Sequence, residues 1–195
     1  NIYFRNGMRI LITGSEGTIG LPLQGELARR GHDVFGVDLK HSAKRNVIRA
    51  DVSNYREIDA AIDEIQPGMI YHLAAEFGRI NGENFYEKVW QTNVIGMRNI
   101  LEIQKSHGFK LIFASSSEIY GDIKAEWLAE DMKPGPQQND YAISKWVGEI
   151  QCNNFRKRYS NEIMGLRFFN CYGEGEYYSD YRSVCCLFCY RALMG

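Results

Sequence analysis

Arg9-Ile10-Leu11-Ile12-Thr13-Gly14-Ser15-Glu16-Gly17-Thr18-Ile19-Gly20 is the stretch that decides how this chain folds. Its first five residues form a short apolar run ending in a glycine-rich turn, the pattern of a buried strand. The residues beyond place Leu23 and Leu27 on one helical face, and Gly31 stops that helix. Glycine suits positions 14, 17 and 20 if backbone must approach an anion, because a side chain would stand in the way. The start of the following helix offers unpaired N–H groups and a partial positive charge, which suit a pyrophosphate. Taken alone, G-x-x-G-x-x-G also marks ordinary tight turns, and it differs from the commoner G-x-G-x-x-G.

Outward from this turn, apolar runs alternate with amphipathic ones. Val34–Asp38 and Asn46–Ala50 read as strands. Asn54 is placed to cap a helix with Glu57 three residues on, and Ile58, Ala61, Ile62 and Ile65 form its buried stripe. Met69–Leu73 reads as a strand, 84–106 as one long helix, Lys110–Ala114 as a strand, 140–159 as a helix and Ile163–Phe168 as a strand. Such alternation predicts the α/β class: a doubly wound parallel sheet, Rossmann-like, with ligands at the carboxyl ends of its strands.

Asp38 ends the second expected strand, where a carboxylate can accept hydrogen bonds from an adenosine ribose. It would repel a 2′-phosphate, so the order strand, glycine loop, helix, strand, acid points to NAD rather than NADP.

Composition narrows the classes. With 195 residues, 45% of them hydrophobic, the chain can build one domain with a sizeable core. Its 23 Lys+Arg against 24 Asp+Glu do not support a strongly basic face for nucleic acid, and leave room for no more than a local patch. No apolar run approaches the length of a membrane span and no signal peptide is visible, so the expected location is cytoplasmic. The five cysteines, an odd number, lack the spacing of a disulfide framework. Cys186 and Cys189 form C-x-x-C inside an apolar run and read as packing residues. His32, His41, His72 and His107 are scattered, and no metal is expected. Residues 1–7 loosely resemble a tag-cleavage remnant and do not enter the fold.

Tyr141-Ala142-Ile143-Ser144-Lys145 sets a phenol and an ammonium four residues apart, on one face of a helix. A phenol of pKa about 10 is a poor base near neutrality. Bringing it to about 7 needs roughly 4 kcal/mol of differential stabilisation, which two close cations in a dry cleft can supply. By itself the pair is also a common surface arrangement. Ser115-Ser116-Ser117 alone reads equally as a polar strand end.

Together the motifs resemble the extended short-chain dehydrogenase/reductase family, the branch that modifies nucleotide sugars. The resemblance runs from Met8 to the end and rests on Thr13–Gly20, Asp38, Asp51-Val52, His72-Leu73-Ala74-Ala75, Asn93-Val94-Ile95-Gly96, Ser115–Gly121, Tyr141–Lys145 and Arg167-Phe168-Phe169-Asn170. Family members often carry Gly-Ala and an aromatic where this chain has Ser15-Glu16 and Thr18. The resemblance implies a cofactor cradle at Gly14, Gly17, Thr18, Ile19, Gly20 and Asp38. It places Asp51 and Val52 near the adenine, with Leu73, Ala74 and Ala75 along the adenosine and pyrophosphate. Asn93 and Phe169 would support the nicotinamide end. Tyr141 would be the base, Lys145 would lower its pKa and hold the ribose, Ser116 would bind the reacting sugar oxygen, and Asn170 would touch the nucleotide sugar. A homodimer through the 84–106 and Tyr141 helices is likewise implied.

All reactions of this branch begin by oxidising sugar C4. Glu118, two residues after Ser116 on an apparently extended stretch, would face the same cleft and, if buried, act as a dehydrating base. Ser116-Ser117-Glu118 resembles the Thr-Ser-Glu of GDP-mannose 4,6-dehydratases and UDP-glucuronate decarboxylases, and lacks the Asp-Glu pair of dTDP-glucose 4,6-dehydratases. This leans the reading to a 4,6-dehydratase, with 4-epimerase and then decarboxylase as alternatives. A non-catalytic NAD-binding regulator or scaffold, and a reductase that turns over free cofactor, are the competing classes. Arg79 reads as a surface arginine near the substrate. Residues 8–180 are expected to form the NAD-binding domain and 181–195 the start of a substrate region that is largely absent, because the chain stops within an apolar run.

Overall fold

A computed structural model describes residues 7–173, 176, 178 and 184–195. The stretch 1–6 and the expected boundary near residue 180 lie outside the described residues. Six strands, β1 (Arg9–Thr13), β2 (Asp33–Asp38), β3 (Val47–Arg49), β4 (Met69–His72), β5 (Lys110–Ser116) and β6 (Ile163–Phe168), form one sheet in the order β3-β2-β1-β4-β5-β6. Every neighbouring pair is parallel. The chain winds outward from β1 through β2 and β3, then returns to the other side of β1 with β4. That reversal opens a crevice beyond the strand ends.

Strand alternation distributes the core between two faces. Leu11, Val37, Ile70, Leu111 and Phe113 join α2 (Tyr55–Ile65), α5 (Gly96–His107) and α6 (Asp140–Tyr159) in the larger cluster, through Ile58, Ile62, Ile100, Ile103 and Phe155. Ile10, Ile12 and Val34 point to the other face, where Leu27 of α1 (Gly20–Arg29) covers them. Asn54 caps α2 by accepting the N–H of Arg56 at 3.2 Å, and Glu57 folds back onto Asn54 Nδ2 and the N–H of Asp51. No helix among the described residues is long and apolar enough to cross a membrane.

Three expectations change. The single helix over 84–106 is instead α3 (Arg79–Asn84), α4 (Tyr86–Val89), a wide π-type turn at Trp90–Ile95, and α5. Phe85 breaks the path with φ −134° and ψ 47°. The wide turn buries Val94 on the same side as Val89, five residues before it, which a regular 3.6-residue repeat would not do; Asn93, one regular turn after Val89, faces inward as well. Second, the extended stretch ends at Ser116, and Ser117–Tyr120 forms a 3₁₀ turn. Third, α7 (Val184–Met194) buries none of its residues: Cys189 is exposed and Cys186 half-buried, so neither is enclosed as the packing reading expected.

At the reversal, the Thr13 hydroxyl sits 2.8 Å from His72 Nδ1, and both residues are buried. Burial holds the imidazole down to about 3 from 6.5, so it stays neutral in the folded protein. The unfolded chain takes up this proton first as pH falls. The contribution to stability is therefore complete above about pH 6.5 and is lost progressively toward about pH 3. Urea unfolding should show the native protein losing about 2 kcal/mol between about pH 7 and 5 from this group alone. His72→Asn, which keeps a hydrogen-bonding atom near Thr13, should lack that part of the slope; an unchanged slope would refute the assignment.

Candidate active site

The crevice is a cavity of about 890 Å³ along the carboxyl ends of β1, β2, β4, β5 and β6, toward the upper part of the range for small-molecule sites. Of the residues expected at a site, Gly14, Gly17, Thr18, Ile19, Gly20, Asp38, Asp51, Val52, Leu73, Ala74, Ala75, Ser116, Glu118, Tyr141, Lys145, Phe169 and Asn170 all line it. Asn93 does not. It sits behind the wall with its amide bridging both backbone groups of Glu76, at 2.9 and 2.8 Å, and the Ser144 hydroxyl at 2.9 Å. Asn93 thus braces the loop after β4 against α6.

At one end, the glycine loop leaves β1. Gly14 adopts φ +71°, and a Cβ there would lie 2.8 Å from the backbone nitrogen of Ala74. At Gly20 a Cβ would collide with the Gly14 carbonyl oxygen, so α1 begins directly against the loop. Ile19 holds the cap position of α1 and makes no side-chain cap bond, which leaves that end of the helix dipole facing the cavity. Asp38 has a duty invisible in the sequence: its two carboxylate oxygens accept the N–H groups of Glu16 and Lys40, each at 2.9 Å. It holds the loop as well as facing the cavity.

At the other end, α6 carries Tyr141 and Lys145. Asn139 caps the helix by accepting the N–H of Ala142 at 2.8 Å, and its Nδ2 donates to Glu118 at 3.2 Å. Asn139 was not singled out by the motif reading, although an Asn ahead of an acidic first turn is an ordinary capping signal. The Ser116 hydroxyl accepts the N–H of Glu118 at 3.2 Å and stands close enough to the Tyr141 hydroxyl to hold its pKa down. Lys145 is buried, donates to the Ala114 carbonyl at 2.9 Å, and has its Nζ 5.8 Å from the centre of the Tyr141 ring. Desolvation pulls its ammonium down to about 8.

Burial raises the Tyr141 hydroxyl above its ordinary value of 10.0, Ser116 opposes this, and the charges of Glu118 and Cys171 add to it. In the folded chain desolvation is the larger effect on the phenol, and Ser116 is the group that opposes it. Glu118 is exposed on its own short turn, so the picture of a buried carboxylate sharing a strand face with Ser116 is corrected. Arg79 opens α3 and lines a smaller recess beside Ser117, Glu118 and Gln138.

The model of the NAD dependent epimerase/dehydratase family matches residues 10–195, and the chain belongs to this family. It is 32% identical over 184 residues to Protein CapI of Staphylococcus aureus, covering 85% of this chain and 55% of that protein. It is 32% identical over 185 residues to UDP-glucuronic acid decarboxylase 1 of Danio rerio, covering 90% of this chain and 44% of that one. The solved UDP-glucose 4-epimerase of Thermus thermophilus, in complex with NAD, superposes with a TM-score of 0.80 at 28% identity, over 87% of this chain and 57% of that one. The chain thus spans about half the length of the curated relatives it matches.

Two alanine substitutions separate backbone strain from close packing. Gly31 has φ +87° but open space around it, so Gly31→Ala should cost only about 1 kcal/mol of strain. Gly14→Ala adds a collision with backbone and should lower the melting temperature by at least about 5 °C more than Gly31→Ala. Equal shifts in a thermal melt would show that the loop does not pack as described.

Proposed function

We propose that this chain binds NAD and that the protein it belongs to oxidises C4 of a UDP-sugar transiently, as a 4-epimerase. The observation that carries the reading is convergence: Tyr141, Lys145 and Ser116 meet at one end of a cavity whose other end is the uncapped, glycine-lined start of α1. The residues fit a dinucleotide. Gly14, Gly17 and Gly20 leave backbone open to a pyrophosphate, and Asp38 stands where a ribose would lie. When bound there, NAD would supply a hydride acceptor for the sugar, and the residues around it would hold it in place.

The chain's own part is proton handling. Tyr141 takes the proton from the C4 hydroxyl while Ser116 donates to the same oxygen and holds it in line. Lys145 supplies a positive charge near the phenol and would hold the nicotinamide ribose when NAD is bound. Leu73, Ala74 and Ala75 would flank the adenosine and pyrophosphate, Asp51 and Val52 the adenine, and Phe169 and Asn170 the nicotinamide and sugar-nucleotide ends. Epimerisation then needs only rotation of the 4-ketone and return of hydride and proton on the other face. The comparison with a UDP-glucose 4-epimerase supports this reading. So does Glu118, which is exposed and engaged by Asn139 rather than enclosed as a base beside C5.

A 4,6-dehydratase is the second reading, favoured by one fact: Glu118 lines the same cavity as Tyr141. Decarboxylation of a UDP-uronate is the third outcome, supported by the Danio rerio relative. Exposed Trp90, Ile95 and Ile150 on the π turn and α6 support a homodimer through those helices.

The test is a panel of nucleotide sugars given to the full-length protein, with products read by mass and stereochemistry. Unchanged mass with inverted C4 supports the epimerase, loss of water the dehydratase, and loss of carbon dioxide the decarboxylase. Net cofactor reduction in proportion to product would overturn all three. Tyr141→Phe should cut turnover by roughly a thousandfold while NAD affinity stays within about threefold; retained turnover removes Tyr141 as the base. Glu118→Gln should leave epimerisation within about threefold of the native rate, whereas loss of a water-eliminating activity in that variant would establish the second reading.

A further inference from the structure

Glu149 and Arg167 do not line the cavity, yet they meet every element that builds its reactive end. Tyr141, Lys145 and Glu149 recur at four-residue steps along one face of α6. They engage three successive residues of β5. Tyr141 meets the Ser116 hydroxyl, Lys145 donates to the Ala114 carbonyl at 2.9 Å, and Glu149 accepts the Ser115 hydroxyl at 2.6 Å. Arg167, the register partner of Ser115 on β6, grips both Glu149 oxygens through Nε at 3.0 Å and Nη2 at 2.9 Å. Its remaining Nη1 donates to the Glu130 carbonyl at 3.1 Å, and its guanidinium lies 4.9 Å from the centre of the Tyr120 ring. Both side chains are largely buried.

We propose that the Glu149–Arg167 pair is the positioning device of this site, setting the roll and reach of α6 on β5 so that the Tyr141 hydroxyl stays in register with Ser116. A carboxylate held by a two-point guanidinium fork and a hydroxyl has no rotational freedom left. Through Ser115 it fixes the strand end that presents Ser116, and through α6 it fixes the phenol that must meet it. Arg167 extends the tie to the segment 122–139, which runs into Asn139 and the start of α6, and to the 3₁₀ turn that carries Glu118. It also neutralises Glu149, so no unbalanced negative charge stands one turn from Lys145. A shift of about 1 Å in such a constellation is enough to cost two orders of magnitude in rate.

This inference rests on the proposed role of Tyr141 as base, and its test separates the two. Arg167→Lys keeps the charge but loses the fork. In the full-length protein it should lower kcat by at least about tenfold with KM and NAD affinity unchanged, and move the limb of the pH–kcat profile that reports the base upward by about one unit. The groups facing Tyr141 during that titration are Ser116, Lys145, Glu118 and Cys171, none of which is altered. Hydrogen–deuterium exchange should accelerate in residues 140–150 and remain native elsewhere. Ser115→Ala breaks the link to β5 without stranding a buried charge, and it should reproduce both effects more weakly if Arg167→Lys fails to fold. Native kcat in a folded Arg167→Lys protein overturns the proposal. So does a loss of kcat with an unmoved pH limb and globally faster exchange, the signature of simple destabilisation. If the native protein turns over no nucleotide sugar, the function assignment fails by itself. The exchange pattern of the two variants then decides the positioning role, and unchanged exchange across 140–150 refutes it.

Discussion

Thr13 and His72 meet where the winding of the sheet reverses, and the architecture depends on what that contact does. Their strands are neighbours in the sheet but lead away from each other, β1 into the glycine loop and β4 into the loop that flanks the other wall. A crevice between diverging loops is useful only if its base is rigid. The buried Thr13–His72 contact and the bond from the Ala74 N–H to Thr13 Oγ1 at 3.3 Å close that base with side chains as well as with the ladder. Leaving either polar group unpaired in this interior would be costly, which makes the pairing obligatory rather than incidental.

From this base the two ends of the cavity are built by opposite means. The glycine end is made by removal of side chains, so that backbone and helix dipole face the ligand. The tyrosine end is made by burial of polar ones. Lys145 is an ammonium enclosed by protein whose direct partner is a carbonyl, an arrangement that stability alone would not favour. A buried cation and a desolvated phenol on one helical face are the kind of expense found where chemistry is done. The surrounding hydrogen bonds of Ser116, Asn139, Asn93 and Glu149 hold these groups still.

Much of this was legible in one dimension. The sheet's six strands follow from short apolar runs, α2 from an Asn cap and a four-residue stripe, and the loop from glycine spacing after a strand. Other features were not legible. The amphipathic stretch from 84 to 106 cannot report that one turn widens, because Asn93 within it reaches the backbone of Glu76, in another element. Glu118 looked like an alternate strand residue because Ser115 to Glu118 is polar and featureless. The turn that begins at Ser117 forms because Ser116 captures the N–H of Glu118.

By itself, then, the order of residues determined the α/β class, the position of the cradle and the pairing of a phenol with an ammonium, since each depends on neighbours within a few positions. Only the folded chain decided that burial dominates the Tyr141 hydroxyl, that Asp38 braces the loop it was expected merely to face, and that Glu118 stands in the open. Those outcomes depend on which distant groups exclude water from a side chain or offer it a partner. Desolvation and long-range hydrogen bonding have no signature in local sequence.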